Sequence, residues 1–325
     1  MQKQDYNPLV SIIVITYNSA QFVVETLESA KAQTYQNIEL IVSDDASTDN
    51  TVEICNQWII ENESRFVNTK LLTVKKNTGV SANCNRGFFI SNGEWIKLIA
   101  GDDLLMCDCI NDNLEFINQH PAKDDINVIS SRILYFNENI ARVIDRTKPS
   151  ILDHPQINVG DQFSLFCYGV GKRINSLLIR KSSIVKICGA DELFSLQEDT
   201  SIIGKLLMQV NKFYFLDKDT FYYRIHDSSI TGSKNKFLIS DFDLQNSKGN
   251  VKYRTAQAGY LLRYLYKFIY VNTFLFHQLE RSRYNFIANK ILYFLLVASL
   301  NKILELVKKY KFTLFERDFN KRLMD

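Results

Sequence analysis

Apolar and polar positions alternate between two periods through the first hundred residues. Residues 10–16 form an unbroken, mostly β-branched run, which predicts a strand buried on both faces. Residues 20–33 then carry apolar side chains at Phe22, Val23, Leu27 and Ala30, the spacing of one helix face. The cycle repeats. Residues 38–43 predict a second strand, and 49–60 a second helix that Ser47, Thr48 or Asp49 can cap. Residues 70–74, 80–90 and 95–100 predict a third strand, a third helix and a fourth strand. Such alternation predicts βαβ units, an α/β class and a mostly parallel, Rossmann-like sheet.

Beyond Asp103 the rhythm loosens. A helix is expected at 108–119, a strand at 127–136, and a loop over the polar, Pro149- and Pro155-bearing stretch 142–161. Further strands are expected at 176–180 and at the aromatic segment 212–224, with a helix at 198–210 between them. Residues 228–250, rich in Ser, Lys, Asn, Asp and Gly, read as a linker. Two helical stretches rich in Leu, Ile, Tyr and Phe follow to the end. The expected organisation is therefore a unit at 1–235 and a basic, aromatic-rich helical extension at 236–325.

The strand ends carry the candidate chemistry. Ligands of parallel α/β sheets bind beyond the carboxyl ends of the strands. Here the first strand ends in Thr16-Tyr17-Asn18, the second in Asp44-Asp45 and the fourth in Asp102-Asp103. Adjacent carboxylates closing an apolar run are costly unless a cation sits beside them, and a divalent metal prefers such oxygen ligands. That metal could hold a diphosphate, the tyrosine ring could stack on a base, and an aspartate could accept from a pyrimidine imide. Each group alone also reads as a turn or a helix cap. Their coincidence along one rim predicts a nucleotide cleft.

These segments resemble family 2 glycosyltransferases with the GT-A fold. The likeness rests on Val10-Ser11-Ile12-Ile13-Val14-Ile15-Thr16-Tyr17-Asn18 and on residues 39–49, which include Asp44-Asp45-Ala46-Ser47-Thr48-Asp49. It continues through Asn77-Thr78-Gly79-Val80-Ser81, Gly93-Glu94-Trp95 and Asp102-Asp103, then Asp191-Glu192-Leu193-Phe194, Glu198-Asp199 and Tyr223-Arg224-Ile225-His226 with Ser228 to Thr231. It covers roughly residues 8–232. The resemblance implies an inverting transfer from a nucleotide-sugar donor, a UDP-sugar, to a saccharide or lipid-linked saccharide in bacterial capsule, O-antigen or exopolysaccharide synthesis. It implies that Thr16 and Tyr17 line the donor base, with Asn18 beside them in the donor site, and that Asp45 bonds a uracil-like edge. Asp102 would bind the donor ribose or sugar near the metal. Asp103 would be the principal ligand of Mn²⁺ or Mg²⁺, joined by His226. Asp199 would be the general base with Glu198 on the acceptor side. Arg224 itself reads as an alternative phosphate clamp or as a plain surface ion pair. Two positions depart from the usual pattern. Ala100 stands where many relatives carry an aspartate, and Cys84 where many carry an arginine, for which Arg86 is the candidate replacement. These departures support an alternative, a catalytically decayed nucleotide-sugar-binding or scaffold protein.

Charge and cysteines refine the picture. The formal net charge of +3 hides an asymmetry: residues 248–325 carry fifteen Lys/Arg against five Asp/Glu. An extension this basic and this aromatic suits an anionic membrane surface, with a helical hairpin packed on the catalytic unit as the plainer alternative. Six scattered cysteines without a C-x-x-C pair argue against zinc or a disulfide framework, and for reduced thiols in a cytoplasm. The longest apolar run, residues 291–298, falls short of the ~20 residues a spanning helix needs, so the expected location is cytoplasmic, at most peripheral at the inner membrane face. No G-x-G-x-x-G or Walker sequence is present, and nothing predicts nucleic-acid binding.

Overall fold

The computed structural model describes residues 6–137, 140, 142–209, 211–226, 241–255, 259–281 and 297–324. A mixed sheet organises them. Its strands are β1 (Val10–Thr16), β2 (Ile38–Asp44), β3 (Asn68–Thr73), β4 (Trp95–Ala100), β5 (Leu104–Leu105), β6 (Val128–Phe136), β7 (Val143–Arg146), β8 (Leu177–Arg180) and β9 (Phe213–Arg224). The order is β3-β2-β1-β4-β8-β6-β9-β5, with β7 paired to β6. The first four strands are parallel, β8 runs against β4 and β6, and β6 and β9 run parallel to each other. The parallel half expected from the sequence, β3-β2-β1-β4, is therefore present, while the sheet as a whole is mixed rather than mostly parallel.

Both faces are covered, as continuous apolar strands require. On one face lie α1 (Val23–Lys31), α2 (Thr51–Asn62) and α4 (Cys109–Gln119), where Val23, Leu27, Cys55, Trp58, Ile110 and Leu114 meet β1, β2 and β4. On the other lie α3 (Val80–Ile90), α5 (Val159–Cys167), α6 (Lys181–Lys186) and α7 (Glu198–Met208).

Two stretches differ from expectation. Residues 142–161 are not all loop: β7 forms there, exposed along its length and tied to β9 by the Arg146–Asp219 ion pair at 2.7 Å. Helix α5 also begins within this stretch, opened by a reciprocal cap in which Asn158 accepts from the Asp161 N–H at 2.9 Å. That Asn-x-x-Asp spacing was readable as a helix start. Residues 228–250 are not all linker either, because α8 (Asp241–Arg254) is helical. Its composition is polar since it buries a narrow edge. Tyr253 packs against Phe194, and Gln245 Oε1 accepts from the Leu196 N–H at 3.0 Å. Residues 227–240 and 282–296 lie outside the described residues, and with them the 235/236 boundary and much of the second apolar stretch.

Helices α9 (Tyr260–Arg281) and α10 (Ser299–Met324) complete the extension. Leu262, Leu265, Tyr266, Ile269 and Leu304 enter the same core as Phe166, Ile203 and Leu207. The extension therefore forms the back wall behind α5 and α7. Among the described residues, no helix is long and apolar enough to cross a membrane.

Candidate active site

The three polar clusters do share one rim. Register pairs Thr16 with Asp44 and Ile15 with Ala100, and Gly101 N–H continues the ladder to Ile15 O at 2.9 Å. Position 101 must be glycine, since a Cβ there would lie 2.8 Å from Thr16 Cγ2.

At the β1 and β2 ends the side chains divide between scaffold and open surface. Thr16 is buried, and its hydroxyl donates to Asp44 Oδ2 at 2.8 Å. Asp44 also accepts from the Ser47 N–H (2.8 Å) and hydroxyl (2.5 Å), which folds the loop after β2. Asn18 takes a left-handed φ of 51°, accepts from the Thr48 N–H at 2.8 Å, and so ties the two loops together. The ring of Tyr17, 49% exposed, is the aromatic group these loops present to solvent. Thr16, expected to line a base, and Asn18, expected to bind the donor, are engaged in holding the loops.

Asp45 is a buried hub. It accepts from Thr78 Oγ1 (2.7 Å), Gly79 N–H (2.7 Å) and Arg86 Nη2 (2.7 Å). Arg86 thus reaches the rim from α3, although its helix position differs from that of the missing arginine at Cys84. Gly79, at φ 91°, packs so closely that a Cβ would meet Ser195 at 2.4 Å. The Asp45 hub is thereby pressed against the loop leading to Glu198.

At the β4 end the two aspartates part. Asp103 is buried, with Oδ1 accepting from the Arg224 N–H at 2.9 Å and Oδ2 from Asn175 Nδ2 at 3.4 Å. Burial, then the neighbouring Asp102 charge, raises its pKa well above the carboxylate range. Asp102 instead turns outward, with Oδ2 2.9 Å from His226 Nε2. The expected order is reversed: the inner side chain serves the fold and the outer one faces the cleft. Arg224 also departs from expectation. Its Nε donates to Asp102 O (2.8 Å), its Nη2 pairs with Glu25 (2.7 Å), and its guanidinium lies between the Phe22 and Phe136 rings. It clamps the Asp102-Asp103 turn rather than a phosphate. Among the described residues no three His, Cys, Asp or Glu side chains cluster as a metal site. The Asp102–His226 pair fits a hard divalent ion only if a bound diphosphate and water supply the remaining ligands.

Glu198 and Asp199 open α7 together, as the sequence places them. Burial raises both carboxyl pKa values, and the charge of Asp199 raises Glu198 further. Asp199 Oδ1 accepts from the Ile174 N–H at 2.6 Å. One short turn thus touches both acidic centres: Ile174 binds Asp199 and Asn175 binds Asp103. Lys97, fully buried in β4, steadies that turn by donating to Asn175 O at 2.7 Å. A lysine inside a strand expected to be buried signals such a partner. Arg173 and Asn175 lie on a short connecting turn, where the sequence carries no comparable signal. Behind α7, Ser81 Oγ donates to Phe194 O at 2.6 Å, so α3 braces both the Asp45 hub and the approach to Asp199.

Comparison with known proteins adds to this geometry. The profile described as glycosyl transferase family 2 matches residues 11–169. The glycosyltransferase GlyG of Streptococcus pneumoniae is 30% identical over 131 residues, which are 40% of this chain and 41% of that protein. The chain thus spans about two fifths of that relative's length. An Escherichia coli protein is 25% identical over 244 residues, 74% of this chain and 87% of that one. Its name is UDP-Glc:alpha-D-GlcNAc-diphosphoundecaprenol beta-1,3-glucosyltransferase WfaP. The crystal structure of S. aureus TarS 1-349 with UDP-GlcNAc superposes with a TM-score of 0.59 at 20% identity, covering 82% of this chain and 72% of that chain. The shared fold is the GT-A arrangement.

Proposed function

We propose that this chain, whose residues 11–169 match the glycosyl transferase family 2 profile, is a glycosyltransferase that moves a sugar from a nucleotide diphosphate donor to a saccharide acceptor in cell-surface polysaccharide synthesis. The donor is a UDP-sugar and the acceptor a saccharide or lipid-linked saccharide. The specificity stated in the name of WfaP and the UDP-GlcNAc held by TarS support this reading. The observation that carries it is a pair of acidic centres, Asp102 with His226 and Glu198 with Asp199, linked by the 173–175 turn, which bonds Asp199 on one side and Asp103, the neighbour of Asp102, on the other.

The reaction is a single displacement with inversion. Asp199 accepts the acceptor hydroxyl proton as that oxygen attacks the anomeric carbon. The glycosidic bond to the nucleoside diphosphate breaks, and the leaving group departs with the bonding pair. Tyr17 offers its ring to the base. Asp102 and His226 would hold a divalent ion, which supplies charge stabilisation to the leaving diphosphate. Asp45, Arg86 and Arg224 keep the rim in shape.

Calorimetric titration tests the donor assignment. UDP is expected to bind at micromolar strength with Mn²⁺ and at least tenfold more weakly with EDTA. Equal binding of UDP, GDP and CDP would remove the UDP assignment. Release of free sugar from UDP-sugars separates an active enzyme from a decayed binding protein, for which no turnover is expected.

The acceptor reading extends to the membrane surface. Helix α9 buries one side and exposes Leu261, Tyr264, Phe268, Val271 and Leu275 on the other, five apolar residues in heptad spacing. An anionic surface attracts nearby basic residues by about 1 kcal/mol each. The full chain is expected to float with anionic vesicles at low salt. A Tyr264→Ser/Phe268→Ser double variant is expected to float several-fold less. Equal flotation of both would sink the membrane reading.

A further inference from the structure

Arg173 is a cation near Asp199 that the proposed reaction leaves unused. It stands on the turn whose next two residues hold Asp199 and Asp103. Its guanidinium lies 4.8 Å over the Tyr223 ring and bonds the Tyr135 side chain, and those two tyrosines contact each other at 5.6 Å. Tyr135 and Tyr223 face each other in register on β6 and β9, so the platform is part of the sheet. Arg173 itself is solvent-exposed.

We propose that Arg173, seated on the Tyr135–Tyr223 platform beside Asp199, is a subsite for a phosphate carried by the acceptor sugar. This rests on the glycosyltransferase reading. Stacking fixes the plane of an arginine and leaves its N–H edge for a bidentate oxyanion. Among the described residues no carboxylate forms a close ion pair with it, while the charge of Asp199 acts on it from nearby. Such a site answers a specific problem. Asp199 must be ionised to act as the base and then repels an anionic acceptor, and a neighbouring guanidinium offsets that repulsion where the acceptor must lie. A donor diphosphate belongs at the other centre, beside Asp102 and His226. The acceptor class is therefore a sugar 1-phosphate or 1-diphosphate ester, the head of a lipid-linked saccharide.

The test titrates the protein, saturated with UDP and Mn²⁺, with N-acetylglucosamine 1-phosphate and separately with N-acetylglucosamine. Wild type is expected to prefer the phosphorylated sugar at least tenfold. Arg173→Gln is expected to erase that preference and leave UDP affinity unchanged, and Arg173→Lys to keep part of it. The assignment is overturned if wild type shows no preference, or if Arg173→Gln keeps it. A tenfold weakening of UDP by Arg173→Gln also overturns it, because Arg173 then belongs to the donor site. Inorganic phosphate displacing the sugar phosphate at equal concentration overturns the sugar-linked source. Failure of wild type to bind UDP counts against the proposed function alone, and the same two sugars titrated without UDP then decide the Arg173 assignment.

Discussion

Asp199→Asn is expected to bind UDP as wild type does and to transfer sugar about 10²–10⁴-fold more slowly. The amide keeps the oxygen that accepts from the Ile174 N–H, so the turn at 173–175 stays in place. Only the capacity to take a proton is lost. Folding thermodynamics separates this loss from unfolding. The Asp199 carboxyl is raised by burial, so its contribution to stability is present at low pH and lost as pH rises through the raised value. At pH 8 the amide avoids that loss, and the variant should melt no lower than wild type. The pH profile follows from the same environment. Transfer requires the ionised base, so the wild-type rate rises with pH along an acidic limb displaced above the ordinary carboxylate range. That limb reports Glu198 and Asp199 as a pair. Near-normal transfer by Asp199→Asn, or a limb at the usual carboxylate pH, would remove the base assignment.

Asp102 and Asp103 should separate cleanly on substitution. Asp102→Asn is expected to lose the Mn²⁺-dependent part of UDP binding and to slow transfer by about 10²–10³-fold. Its stability should stay within about 0.5 kcal/mol, since the side chain faces the cleft. Asp103→Ala should do the reverse at the level of stability. It leaves the Arg224 N–H and the Asn175 amide without their acceptor in a buried site, a cost of about 1–3 kcal/mol for each group. Thermal unfolding and UDP titration with and without Mn²⁺, run on both variants, check the pair. A silent Asp102→Asn beside an Asp103→Ala that melts normally but ignores Mn²⁺ would return the metal to Asp103.

The contrast arises because the Asp-Asp pair reads symmetrically in the chain. Nothing in Gly101-Asp102-Asp103-Leu104 tells which carboxylate turns inward. The decision falls to the end of β9 and the residues just after it, more than a hundred positions later, where the Arg224 N–H arrives at Asp103 and His226 arrives at Asp102. Arg224 shows the same limit. Tyr-Arg-x-His resembles a phosphate-binding segment, yet Phe22, Phe136 and Glu25 converge to sequester its guanidinium. Arg86 went the other way. Its direction could not be read from a helix position, and it does reach Asp45.

The sequence by itself determined the parallel β3-β2-β1-β4 half, because hydrophobic period and strand–helix alternation are local properties that survive in any context. It also determined the rim, since the ends of parallel strands in register must lie side by side. It placed Glu198 and Asp199 in a first helical turn. Tertiary structure decided the rest. It chose which aspartate faces the cleft, turned the polar stretch 241–254 into a helix through one buried edge, and set Arg173 between the two acidic centres. Each of these depends on partners distant in the chain. Burial and hydrogen-bond satisfaction are properties of the assembled sheet, and no local pattern of residues encodes them.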